Sequence, residues 1–154
     1  MFEFEGKGGL EELKKIEAEL LEYLGFGKPT SVDYKEQAKK YGVEVLEAEH
    51  EERMRLDTGN VVSLEIFTQE SHPFWNMKYN GDGTFNKVDV ILHGMETIGS
   101  AERSCDPKEM YKFFNTVSNG DYKRLLFNKF TEKVVIEELD SYLAHKMIPR
   151  YGAG

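Results

Sequence analysis

The stretch "KVDVILHGMETIGSAER", residues 87–103, decides the fold. Its apolar residues gather on both sides of His93-Gly94, as in two strands joined by a tight reversal. Around that turn stand two acids, Asp89 and Glu96, and one arginine, Arg103. Side chains alternate between the faces of a strand with a period of two. With an even number of loop residues, Asp89 is expected opposite Ile98, and Glu96 points to the same face as Asp89. Strict alternation turns Arg103 away from Glu96. A bulge at Gly99-Ser100 would return it, and a glycine within a strand is where a bulge is expected.

Working outward, "VVSLEIF" (61–67) has the β-branched and apolar content of another strand. "HPFWNMKYN" (72–80) is a further run leading into "NGDG" (80–83), whose residues suit a reversal and lack the spacing of a calcium loop. Helical signals occupy both ends. "GGLEELKKIEAELLEYLGFGKP" (8–29) places Leu10, Leu13, Ile16, Leu20, Leu21 and Leu24 on one face, with Gly25 and Pro29 at its close. "SVDYKEQAKKYG" (31–42) offers Asp33 as N-cap and Gly42 as stop, and "EHEERMRL" (49–56) is a shorter helical piece. Beyond the hairpin, "CDPKEMYKFFNTVS" (105–118) has Asp106 as cap and Pro107 in the first turn. "TEKVVIEELDSYLAH" (131–145) follows with Thr131 as its cap. Strands in the middle and helices at both ends imply an α+β fold, an antiparallel or mixed sheet flanked by helices. With no repeat or low-complexity linker, residues 1–154 read as one domain.

Composition narrows the function. The 28 acidic against 20 basic residues, a net charge of −8, oppose the clustered lysines and arginines that a nucleic-acid footprint needs. DNA is not an expected partner, and tRNA is not expected to bind this chain alone. No apolar run approaches a bilayer-spanning length, and "MFEFEGKGG" lacks the flanks of a secretory signal, so the expected location is cytoplasmic. The one cysteine, Cys105, reads as a small buried apolar residue with no role. His50 in "HEERM" has Met54 where a zinc-protease helix needs a second histidine. His72, His93 and His145 have no partners at metal-ligand spacing, and "GKGG" (6–9) lacks the context of a phosphate loop.

Two carboxylates close together raise each other's pKa unless a cation lies between them. Two oxygen ligands with room for phosphates and waters is how Mg²⁺ is commonly held. Asp89 and Glu96 are therefore a candidate metal-nucleotide pair. From pattern alone the alternative stands beside it: one or both face water at a sheet edge, and Arg103 pairs on the surface with Glu102 or Asp106.

Taken in order, "HPFWNMK", "VDVILHGMETIGSAER" and "PRYGAG" resemble the C-terminal half of a class II aminoacyl-tRNA synthetase catalytic core. The likeness is to the aspartyl/asparaginyl branch, which includes the ammonia-dependent asparagine synthetases, and it covers nearly the whole chain. It implies an ATP-dependent, AMP-forming ligase that activates aspartate or asparagine through an aminoacyl-adenylate. By that resemblance Asp89 and Glu96 hold the Mg²⁺ and its ATP, and Arg103 grips the side-chain end of the amino acid. Phe74 and Trp75 wall the amino-acid pocket. Trp75 stands where many synthetases have Tyr, and is closer to archaeal asparagine synthetase relatives. "FEFE" (2–5) resembles the tail of motif 2 and "GAG" (152–154) the start of motif 3. Motif 1 and the two ATP-contacting arginines of the family would lie outside residues 1–154. Weak or no activity of this chain alone, with a homo-oligomer or a complementing chain, is the corresponding expectation. The alternative is a non-catalytic homologue that binds an amino acid, a nucleotide or a protein partner.

Overall fold

The computed structural model describes residues 3–154, so the "FEFE" segment is described from Glu3 onward and Phe2 lies outside. The hairpin forms as expected. β4 (Thr84–Leu92) and β5 (Met95–Arg103) are joined by His93-Gly94, both at positive φ (52° and 86°), which suits the right-handed twist of the strands. β3 (Val61–Thr68) pairs antiparallel with β4 and parallel with a short β2 (Thr30–Asp33). β6 (Arg150–Ala153) joins β5, and β1 (Phe4–Lys7) joins β6, both antiparallel. Among the described residues this gives one mixed six-stranded sheet in the order β1-β6-β5-β4-β3-β2. With its flanking helices it is the α+β architecture expected from the sequence. The run at 72–80 adds only isolated bridges, Met77 to Arg103 and Tyr79 to Phe85.

The two faces of the sheet differ. One is covered by α1 (Leu10–Tyr23), whose Leu13 packs on Tyr151 and Ala153, with Phe4 and Ile98 beside them. Complete burial of Leu13 contributes roughly 1.5–3 kcal/mol. The α1 N-terminus is held by a carboxylate from the sheet, the Leu10 amide donating to Glu102 Oε2 (3.1 Å), where the helix dipole favours negative charge. Of the expected apolar face, Leu13 and Leu21 are buried, whereas Ile16 and Leu24 are exposed. Glu17 takes the inward position instead, over Ser100 of the sheet.

The other face meets α2 (Tyr34–Tyr41) and α3 (Ala48–Asp57), which pack Tyr34, Ala38 and Met54 against Val62, Leu64, Phe67 and Ile91. Asp33 caps α2 by accepting from the Glu36 amide (2.9 Å), and Gly42 ends it at φ 72°. A helical layer follows the hairpin: α4 (Pro107–Thr116), α5 (Asp121–Phe130) and α6 (Glu132–Leu143). Asp106 caps α4 by accepting from the Lys108 and Glu109 amides, whereas Thr131 precedes α6 without a side-chain capping bond. Phe113 of α4 joins this layer to the sheet through Phe85 (5.0 Å between ring centres). Cys105 is exposed, not buried as its sequence context suggested, because the chain is leaving the sheet for α4 at that point. No helix of the described residues is long and apolar enough to cross a membrane.

Candidate functional site

Register decides which side chains meet. The two-residue turn pairs Leu92 with Met95 and Ile91 with Glu96. The next pair is Val90 with Ile98, so Thr97 is the extra residue of a bulge. Asp89 therefore faces Gly99 rather than Ile98, and the irregularity lies two residues before the expected Gly99-Ser100 position. The turn fixes the register near the tip, and the bulge absorbs the odd residue before the glycine is reached. As a result Asp89, Glu96, Gly99, Ala101 and Arg103 all share one face. Gly152 and Glu5, the cross-strand partners that continue the Ala101 row, lie on it too.

Gly99 makes room for the acids. A Cβ on it would stand 2.9 Å from Glu96 Oε1 and 3.7 Å from Asp89 Oδ1, so both carboxylates converge over this bare stretch of backbone. β4 and β5 are interior strands, and Asp89 is only 5% exposed, while Glu96 reaches solvent. Burial pushes the Asp89 carboxyl up to about 6; Lys87 opposes that shift, and the Glu96 and Glu51 carboxylates add to it. Lys87 Nζ bonds Asp89 Oδ2 and lies 3.8 Å from the centre of the Phe67 ring. The other oxygen, Asp89 Oδ1, is buried without a partner among the described residues. Glu51 of α3 accepts from the Glu96 amide (2.9 Å), which ties the helix to the hairpin. Glu51 and Lys87 were not singled out in the sequence. Glu51 arrives from 45 residues away, and Lys87 reads as an ordinary charge at a strand start.

An unpartnered buried carboxylate oxygen beside a second carboxylate suits a divalent cation. Among the described residues no group of three or more His, Cys, Asp or Glu is arranged to hold a metal. Two carboxylates supply only part of the roughly six oxygens that such a cation takes, so the rest would have to come from elsewhere.

Arg103 lies four residues along β5 from Gly99, about 13 Å at the usual strand rise. Its guanidinium is partly buried and makes no ion pair among the described residues; its one hydrogen bond is Nη1 donating to Asn76 Oδ1 (3.4 Å). The surface partners considered from the sequence are engaged elsewhere. Glu102, on the opposite face, accepts from Lys78 (2.7 Å) and Asn86 (2.7 Å), and Asp106 caps α4. Burial pulls the Arg103 pKa down, Glu5 and Tyr142 raise it, and Arg150 lowers it again. Gly152 brings the β6 backbone close: a Cβ there would come within 3.1 Å of Arg103 Nη2. A hollow of about 360 Å³ opens here, lined by Glu3, Glu5, Arg103, Gly152 and Gly154.

Phe74 and Trp75 stand apart from that hollow. Phe74 is exposed and meets Trp75 and Tyr122 (5.8 and 5.2 Å), and Trp75 packs into the helical layer against Phe114 and Tyr142 (5.6 Å each). The connection to Arg103 runs through Asn76, the next residue.

Comparison with solved structures places this architecture. The chain is similar to asparaginyl-tRNA synthetase from Pyrococcus horikoshii, with a TM-score of 0.73 and 16% identity over 98% of this chain and 42% of that one. The same enzyme complexed with asparaginyl-adenylate gives 0.72 at 15% identity. Aspartyl-tRNA synthetase from Entamoeba histolytica gives 0.70 at 14% identity, over 99% of this chain and 37% of that one. No protein-family model matches the sequence, and no curated relative is similar to it in sequence.

Proposed function

We propose that the chain, which has the fold of part of an aspartyl/asparaginyl-tRNA synthetase and spans about two fifths of the length of these structures, serves as part of the catalytic core of a class II, AMP-forming ligase that activates aspartate or asparagine with ATP. The observation that carries this reading is one row of side chains: Asp89 and Glu96 over Gly99 at one end, and an uncommitted Arg103 at the other. In it, Asp89 and Glu96 hold a nucleotide-bound Mg²⁺, which screens the phosphate charge. Arg103 presents a planar fork of donors that fits a carboxylate at two points and also serves an amide oxygen, so both branches remain open. Glu51 fixes the hairpin tip, and Gly99 and Gly152 keep the face free of side-chain bulk. Two of the similar solved structures are complexes with asparaginyl-adenylate, which supports the substrate class. The net charge of −8 opposes a broad phosphate-binding footprint, so no tRNA partner is proposed for this chain alone. A homo-oligomer or a complementing chain meeting the β1 or β2 sheet edge belongs to the proposal.

The second reading is a non-catalytic homologue that binds amino acid, nucleotide or a partner. The Lys87-Asp89 contact favours it, because an ammonium already neutralises one of the two acids. Calorimetry with Mg-ATP and with aspartate or asparagine, alongside amino-acid-dependent pyrophosphate exchange, separates the readings. Binding with exchange, by this chain alone or once a complementing chain that carries the two family arginines is added, supports the ligase; binding that yields no exchange even with that chain selects the second reading. If neither ligand binds, the site assignment is wrong.

A further inference from the structure

A second cavity, of about 420 Å³, lies in the helical layer and does not include Arg103 or the two acids. Its size falls within the range of roughly 300–1,000 Å³ usual for small-molecule pockets. Aromatic rings form its walls. Trp75 stands edge-to-face against Phe114 and Tyr142 (5.6 Å each), and Phe114 against Tyr122 (6.0 Å), so the rings meet near right angles as the sides of a box. Tyr142 spends its hydroxyl on Arg150, accepting from Nη2 at 2.7 Å, and presents its ring to the cavity lining. Phe130, about half exposed, stands at the rim.

Among the described lining residues the one charged group is Glu138. Its side chain is exposed and takes part in no ion pair or hydrogen bond among the described residues, although its neighbour Glu137 is paired with Lys133 (3.8 Å). Aromatic faces attract a cation through their quadrupoles, tryptophan most strongly, and they do so best where water is excluded. The solvated carboxylate of Glu138 stands at the edge of such walls and biases the cavity toward a cation over an uncharged ligand of the same shape, and an anion would be repelled.

We infer that this cavity binds a small organic cation, an amine or quaternary ammonium with an apolar body, held between the Trp75, Phe114, Tyr122 and Tyr142 rings and steered by Glu138. Trp75 is the sole tryptophan of the chain, so its fluorescence reports directly on occupancy. The whole chain is titrated with benzyltrimethylammonium and with neopentylbenzene, its uncharged carbon isostere, and the titrations are repeated on Glu138→Gln. This exposed position leaves folding intact. The expected result is at least tenfold tighter binding of the cation than of the isostere, with most of that preference lost in Glu138→Gln and the isostere unaffected. Equal or tighter binding of the isostere would mark the cavity as a seat for an uncharged apolar group and overturn the inference. Absence of binding by either probe, or an unchanged preference in Glu138→Gln, would overturn it as well. None of these readouts depends on ATP or aspartate, so the inference stands or falls separately from the proposed ligase site.

Discussion

Replacing Glu17 by glutamine should change how stability depends on pH. The Glu17 side chain of α1 points at the sheet, is 2% exposed, and has no hydrogen-bond partner among the described residues for either carboxylate oxygen. Burial raises its pKa from an ordinary 4.5 to about 7. The Ser100 hydroxyl, already donating to the Val88 carbonyl (3.0 Å), opposes this in part, while Asp89 and Glu65 add to it. Lys14, from the same helix, is committed to Glu65 (2.7 Å) and leaves Glu17 unpaired. Below pH 4.5 the folded and unfolded chains both carry the proton, and its contribution to stability is fully present. Between 4.5 and 7 the unfolded chain releases the proton while the folded chain keeps it, so stability falls. Above 7 the loss is complete. At about 1.4 kcal/mol per pH unit, it amounts to roughly 3 kcal/mol. Asp89, raised from 3.8 to about 6, adds a falling limb at lower pH that the variant retains. Carboxyls whose pKa is lowered, such as Asp57 and Asp82, act with the opposite sign and below this window. Urea unfolding of wild type and Glu17→Gln at intervals from pH 4.5 to 8 is the assay. The variant should lose most of the slope above pH 6. A wild type whose stability is level or rises across that range, or a variant with the same slope, would show that the Glu17 charge is solvated and refute the reasoning.

Two further predictions test the candidate ligase site. Gly99→Ala places a methyl 2.9 Å from Glu96 Oε1, the far end of an exposed, flexible side chain. Stability should change by less than about 1 kcal/mol while calorimetric Mg-ATP affinity falls about tenfold, and unchanged affinity would remove Gly99 from the site. Arg103→Lys keeps the charge but loses the planar fork, so aspartate affinity should fall by about 10–100-fold with Mg-ATP affinity held within about twofold. Equal losses for both ligands would indicate a folding defect instead.

The sequence carried the elements that rest on local chemistry. The hairpin, the Asp33 and Asp106 caps and the Gly42 stop are written in residues within a turn of where they act. Where distant partners decide, it was silent. The inward side of α1 is set across the interface, by Leu13 on Tyr151 and Ala153 and by Lys14 on Glu65, so a glutamate that reads as solvent-facing is buried. β2 is four residues long, and its parallel partner begins some thirty residues later, a pairing with no local signature. α5 went unmarked because Gly120 and the left-handed Ser118 and Asn119 before it read as a loop. The acids and arginine were legible from spacing, whereas Glu51 and the Lys87-Asp89 contact depend on packing.

The bulge at Thr97 bears on how the hairpin can change in length. Thr97 is the surplus member of β5, so its deletion leaves Ile91-Glu96, Val90-Ile98 and Asp89-Gly99 as consecutive pairs of a seamless ladder. Loss of Ile98 has the same outcome, with Thr97 taking its place opposite Val90. Loss of any one of Gly99 to Glu102 also dissolves the bulge and leaves Arg103 in register, but it brings Ile98 opposite Asp89, where Gly99 had left the backbone bare. Homologous chains can therefore be shortened by one at Thr97 or Ile98 without disturbing the row of groups, whereas a gap at any of the next four puts an isoleucine side chain under the two acids.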